Sequence, residues 1–307
     1  MKLKDINVYK NFNIYIMKYL KLFENFNEED IHSICKKYNI ENYTINKDGS
    51  IDVDGNVNLY NMKLTKLPLK FNKVNGYFYC SDNLLTLLEG CPEEINGDFY
   101  CSDNNLTSLE GCPKVINGDF SCFSNKLTSL EGCPKEINGD FSCSNNKLTS
   151  LEGCPKEING GFYCYNNKLT TLEGCPNVIN GGFYCFNNFL TSLKSSPEKI
   201  NGNFYCYNNL LTSFEHCPKG IYGDFSCSGN KITSFDYLPF LIDGDFYCED
   251  NPIYEIWKLF EDYSKIDFFN DCDPIREPNI IILDRLNFFL EKIGKQPVND
   301  VEGYKCI

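Results

Sequence analysis

The chain has 307 residues, 42% of them hydrophobic, which is enough to bury a core. The formal net charge of −13 repels phosphate backbones, so nucleic acid is not an expected partner. No stretch approaches the run of about 18 apolar residues that spans a bilayer, so no membrane association is expected.

In chain order, the opening MKLKDINVYKNFNIYIMKYLKLF has no uninterrupted apolar core and no small-residue cleavage site. No secretory signal is read in it. Ile16, Tyr19, Leu20 and Phe23 fall at helical spacing, with Lys18 and Lys21 off the stripe. Asn27-Glu28-Glu29-Asp30 then has the makings of a capped helix start, with Ile31, Ile34, Cys35 and Tyr38 on one face. Residues 1–41 are therefore expected to form an N-terminal helical cap. Two Asp-Gly pairs in INKDGSIDVDGNVNLYN predict turns between short strands. Gly55 stands at the wrong place for an EF-hand loop starting at Asp52, so this acidic stretch is not read as a calcium site.

Val57, Leu59, Leu64 and Leu67 begin a pattern that then repeats, with Met62 where later units have Asn. Nine cysteines follow at a step of 21 residues, from Cys80 to Cys248, and eight prolines keep the same step from Pro92 to Pro239. A fixed period of this length marks a repeat architecture. One unit reads LTSLEGCPKEINGDFSCSNNK, residues 127–147. Phe141 and Cys143 alternate with Asp140, Ser142 and Ser144, which puts Phe and Cys on one face of a short strand. Asn146 turns the chain, and Leu148 and Leu151 continue the buried side. Parallel strands from successive units then stack about 4.8 Å apart.

The recurring Asn, from Asn83 to Asn251, is expected to satisfy backbone groups of its own turn and the next as a buried ladder. Gly90, Gly111, Gly132, Gly153 and Gly174 suit a left-handed backbone position, but Ser195, His216 and Tyr237 hold the same place and argue against it. The glycine before each strand, Gly76 through Gly244, is the better candidate for a strained turn. Fifteen of the 18 cysteines follow the period, where a thiol packs as a small apolar group. Disulfides between neighbouring strands and metal binding are two further readings, although no C-x-x-C or Cys/His cluster is present. No cofactor is expected.

This pattern resembles the leucine-rich repeat, L-x-x-L-x-L-x-x-N-x-L, with Phe and Cys in two leucine places. The short unit and its Cys-Pro turn are similar to the repeats of bacterial type III effectors. They are also similar to repeats in uncharacterised proteins of large DNA viruses and phages. The absence of Ala, the restriction of Arg to Arg276 and Arg285, and the abundance of Lys, Asn, Ile, Phe and Tyr fit an AT-rich, viral or similar source. The resemblance implies an α/β-type repeat solenoid: a parallel sheet on the concave side, a mostly non-helical convex side, and helical caps. About ten units are expected over residues 42–252. The resemblance also implies a binding surface rather than a catalytic pocket, because this fold hosts many partners.

Residues 253–307 are expected to form the C-terminal cap, with Ile253, Ile256, Phe260 and Tyr263 as one stripe and Ile282, Leu286, Phe289 and Ile293 as another. Some type III effectors carry a ubiquitin-ligase domain with a C-x-D motif. Cys272-Asp273-Pro274 does not match it, and that activity is not carried over.

Units 127–147 and 148–168 differ at three positions only: Asp140 against Gly161, Ser142 against Tyr163, and Ser144 against Tyr165. All three lie opposite Phe and Cys, on the face the resemblance makes concave. Along that face Tyr163 and Tyr165, Tyr184 and Phe186, and Tyr205 and Tyr207 form two aromatic columns, flanked by Asp98, Asp119, Asp140, Asp224 and Asp245. An aromatic centre with a charged surround is what protein interfaces favour. Stacked rings that merely stabilise strands are the competing reading. The expected function is a non-enzymatic protein-binding scaffold in the cytoplasm, the host cytoplasm if the source is viral. Self-association, or an adaptor role for the C-terminal segment, is the alternative.

Overall fold

The computed structural model describes residues 27–307. The predicted stripe from Ile16 to Phe23 lies outside them. A helix over Glu28–Lys37 opens the described chain, and Asn27 caps it: its side chain accepts from the Asp30 N–H at 2.9 Å, and Asp30 answers on the Asn27 N–H. Tyr43–Ile45 and Ile51–Val53 form an antiparallel hairpin around Asp48-Gly49, with Gly49 at φ +77°. The second Asp-Gly pair makes no hairpin. Ile51–Val53 and Val57–Asn58 join different sheets.

From Val57 onward the chain is a parallel β-solenoid with little helix. Each turn contributes two short strands rather than one. The Phe strands, Val57–Asn58 to Phe246–Tyr247, pair in register into one ten-stranded sheet. The Ile strands, such as Glu94–Ile95 and Glu136–Ile137, pair into a second set of parallel ladders. This second set has no counterpart among the strands expected from the sequence.

The inner side repeats almost unchanged from turn to turn. Phe99, Phe120, Phe141, Phe162, Phe183, Phe204 and Phe225 are at most 1% exposed and stack with centroids 5.2 to 5.6 Å apart. Burying each such ring contributes roughly 1.5–3 kcal/mol. The strand cysteines, Cys80 to Cys248, lie in the same core. Of the Cys-Pro set only Cys91 is buried. The others sit half-buried at the core margin, and all 18 thiols are unpaired.

The asparagine ladder takes the form expected. Asn146 Nδ2 donates to the carbonyls of Cys122 (3.1 Å), Cys143 (3.1 Å) and Ser144 (3.2 Å), and its Oδ1 accepts from the Leu127 N–H (2.9 Å). One side chain thus ties two turns together and leaves none of its own amide groups unmet. A second, exposed ladder runs from Asn180 back to Asn75, each Nδ2 donating to the preceding Oδ1, and ends on Asp54.

The two glycine sets reverse the expectation. Gly90, Gly111, Gly132, Gly153 and Gly174 are left-handed, at φ 84–92°, and Ser195, His216 and Tyr237 adopt the same conformation at φ 62–73°. The later residues accept a strained backbone there because the stack dictates the turn. The glycines before the strands have no positive φ. They are needed because successive backbones touch: a Cβ on Gly160 would lie 2.7 Å from the carbonyl carbon of Gly139.

After residue 252 the first predicted stripe is split between a short helix, Tyr254–Trp257, and a 3-10 turn, Tyr263–Lys265. The second stripe lies on a helix over Leu283–Lys292, which buries Leu286, Phe289 and Leu290. A helix over Ile266–Cys272 packs beside it, and three short strands, unforeseen in the sequence, complete this end. Among the described residues no helix is long and apolar enough to cross a membrane.

Candidate functional site

The outer side of the Phe sheet is where the repeats differ. The strand period places Tyr163 and Tyr165 outward because Phe162 and Cys164 point inward, and the same register carries through the neighbouring turns. The six rings form the two columns read from the sequence. Tyr163 stacks on Tyr184 at 4.6 Å and 3°, and Tyr205 meets Tyr184 edge-on at 5.4 Å. Tyr165 stacks on Phe186 at 4.5 Å, and Phe186 on Tyr207 at 4.3 Å. Each ring covers its neighbours, so all six are half-buried rather than fully exposed.

Gly161 and Gly182 make this packing possible. The Tyr163 ring folds back over Gly161 and the Tyr184 ring over Gly182, where an added Cβ would stand 3.0 and 2.6 Å from the respective hydroxyl. Most other turns carry Asp at this place. Each such carboxylate bridges turns: Asp98 Oδ1 accepts the Asp119 N–H, Asp119 Oδ1 the Asp140 N–H, and Asp140 Oδ1 the Gly161 N–H at 2.7 Å. The second oxygen accepts a phenol, Tyr100 on Asp119 and Tyr163 on Asp140, both at 3.4 Å. Burial first, and the Asp140 carboxylate second, push the Tyr163 phenol up to about 12. Burial likewise raises Tyr100, with Asp98 and Asp119 adding to it. These phenols therefore stay protonated and donate. Asp224 repeats the arrangement beyond the aromatic block, and Asp245 accepts the phenol of Tyr247 in its own turn.

Beside the block lies a feature missed in the sequence. Where Tyr79, Tyr100, Tyr163, Tyr184 and Tyr205 supply rings, two consecutive turns supply Ser121 and Ser142. The result is an open trough of about 640 Å³ that runs from Tyr163 and Tyr165 past Tyr100 to Tyr79 and Tyr60, with the Ser121 and Ser142 turns between Tyr100 and Tyr163. Phe123, Asp119 and Asp140 also line it, and among the described residues no Lys, Arg or His does. Ser102 Oγ and Ser121 Oγ pair at 2.7 Å on its floor. The signal was present as a gap in the Tyr column, but rings draw attention and serines do not.

The two histidines stand apart from this face. His32 lies beside Tyr43 with Nδ1 2.5 Å from its hydroxyl, and His216 lies near Glu215. No protein-family model matches the chain, and no curated protein matches it.

Proposed function

We propose that the chain is a solenoid of leucine-rich-repeat type that serves as a non-enzymatic protein-binding scaffold, with Tyr163, Tyr165, Tyr184, Phe186, Tyr205 and Tyr207 as the principal contact. The observation that carries this reading is the concentration of change on one face. Two units that differ at three positions only exchange two serines for rings and an aspartate for glycine, all on the outer side of the Phe sheet. Packing accounts for the constancy of the inner side and not for this exchange. Rigid aromatic surface beside carboxylates is the chemistry that protein partners use as anchors. A core of free thiols goes with a reducing compartment, which makes the cytoplasm the natural location.

The test compares the parent with Tyr163→Ser/Tyr165→Ser, which restores the preceding unit's own residues. Both proteins are used as bait in an extract of the source cell, and the thermal midpoint of each is measured. A protein retained by the parent and lost from an equally folded variant supports the reading. Equal retention by both removes the rings from the interface. Concentration-dependent size of the pure chain, abolished by the same substitutions, makes the partner a second copy.

A further inference from the structure

The trough between Tyr100 and Tyr163 has a geometry that selects its occupant. Tyr100 lies parallel to Tyr79 (4.6 Å, 6°) and Tyr163 parallel to Tyr184 (4.6 Å, 3°), so both ring planes stand across the solenoid axis. Each ring is covered on one face only. The uncovered faces look toward each other across the Ser121 and Ser142 turns. Three strand steps separate them, about 14 Å at roughly 4.8 Å per step. A flat group against each face occupies about 3.5 Å, which leaves about 7 Å between the two flat groups. That is the distance between residues i and i+2 of an extended chain.

Charge narrows the choice further. Asp119 and Asp140 stand on the two adjacent serine turns inside this gap, Asp119 next to Tyr100 and Asp140 next to Tyr163, each with a carboxylate that already accepts one N–H and one phenol and keeps further acceptor capacity. Among the described residues no basic side chain lines the trough to neutralise them, and the whole chain is at −13. One unpartnered polar group lies beside the trough, outside its lining. Ser144, set by register between Phe123 and Tyr165, is fully buried, and its Oγ is the one buried side-chain polar atom among the described residues with no hydrogen-bond partner.

We propose that the trough binds an extended basic segment of a partner protein, running along the solenoid axis, with two arginines in an Arg-x-Arg spacing. One guanidinium stacks on Tyr100 and pairs with Asp119; the other stacks on Tyr163 and pairs with Asp140. A guanidinium is the side chain that is both planar and cationic, so it satisfies ring and carboxylate together, whereas an ammonium satisfies only the carboxylate. This rests on the scaffold reading and moves its centre from the six rings to the gap beside them.

The solenoid itself supplies the substitutions for a test. Asn203 does the work of these aspartates one block later, its Oδ1 accepting the Asp224 N–H at 2.9 Å, so Asp119→Asn/Asp140→Asn keeps the turn-to-turn bond and removes only charge. Ser142→Tyr installs the ring that the flanking turns already carry and fills the gap. The probe is a short labelled Gly/Ser peptide with an Arg-Ser-Arg centre, titrated by fluorescence anisotropy at low salt. Binding by the parent should weaken about tenfold in the double Asn variant and disappear in Ser142→Tyr, and a Lys-Ser-Lys peptide should bind about tenfold more weakly. Failure of the parent to bind, or binding unchanged by Ser142→Tyr, overturns the trough as a site for basic segments. If Tyr205→Ser/Tyr207→Ser abolishes peptide binding while Ser142→Tyr does not, the trough is wrong and the aromatic scaffold reading stands. Binding of the neutral sugar maltoheptaose that is blocked by Ser142→Tyr, with none of the peptide, assigns the trough to carbohydrate and also overturns the proposal.

Discussion

The turns centred on Ser121 and Ser142 and those centred on Tyr163, Tyr184 and Tyr205 are the same structure seen from inside. Each buries a Phe, a Cys, two Leu and an Ile, and each ties itself to its neighbour through one Asn. Seen from outside, one stretch is a hydroxyl-floored trough and the other a stacked aromatic wall. A repeat of this kind separates constant from variable positions within a single strand: alternate residues fill the core or face outward. Outer substitutions that unfold the chain would contradict this division, and inner substitutions should cost far more than outer ones.

The largest effect should come from alkali, which acts on the inner side collectively. Burial raises the strand thiols, Cys143 and Cys164 among them, so the folded chain holds protons that the unfolded chain releases. Their contribution is complete below about pH 8.5, the ordinary thiol value, and is lost as pH rises above it. Each buried thiol then subtracts about 1.4 kcal/mol per pH unit. The thermal midpoint should be flat to about pH 8 and fall steeply above it, ahead of tyrosine ionisation followed by absorbance. A midpoint that holds until the phenols titrate would place the thiols outside the core.

Among single substitutions Asn146→Ala should cost most, about 3–5 kcal/mol, because three buried carbonyls and one N–H lose a partner together. Cys143→Ser should cost on the order of 1–3 kcal/mol by placing a hydroxyl in an apolar stack. Cys227→Ser should cost less, since the Cys227 thiol already donates to the Tyr247 carbonyl at 3.5 Å and a serine inherits that acceptor. Denaturant midpoints of the three variants order these effects. Equal losses at Cys143 and Cys227 would show that the local acceptor is irrelevant.

On the outer side the effects should be small. Tyr163→Ser/Tyr165→Ser removes two stacked pairs, worth about 0.2–1 kcal/mol each, yet should weaken partner binding by ~2 kcal/mol or more. Ser142→Tyr should be the mildest, a gain of about 0.2–1 kcal/mol from one new stack on Tyr163. An unfolded double serine variant would mean that the rings belong to the packing.

Most of the inner architecture was legible because a period of 21 residues lets each position be read nine or ten times over. Phe141, Cys143, Leu148 and Leu151 announce themselves by recurrence, and Asn146 by being polar among them. The two glycine sets were misassigned for a physical reason. A sequence displays what a residue prefers, and Ser195 or Tyr237 does not prefer a left-handed backbone; the stack imposes it. The need for Gly160 is set by how closely one backbone lies on the next, which no single unit reveals. The Ile strands were missed because a strand such as Glu136–Ile137 buries a single residue, Ile137 after exposed Glu136, whereas Phe141 and Cys143 flank Ser142 and make an alternation that registers. The six rings were legible as columns. Their mutual shielding, and the trough beside them, depend on side chains crossing from turn to turn.

The step from each glycine, asparagine and phenylalanine to its counterpart is 21 residues everywhere in the solenoid, so every junction between turns is interchangeable with the next. Cutting out residues 127–147 would join Lys126 to Leu148 across a seam chemically equal to the one removed. It would bring Tyr163 one step nearer to Tyr100 and leave a single serine turn between them. Recombination between neighbouring copies in the gene does the same without disturbing the reading frame. The width of the trough is therefore a heritable quantity that changes in whole turns, and a lineage can reset it by counting repeats, with no new residue invented.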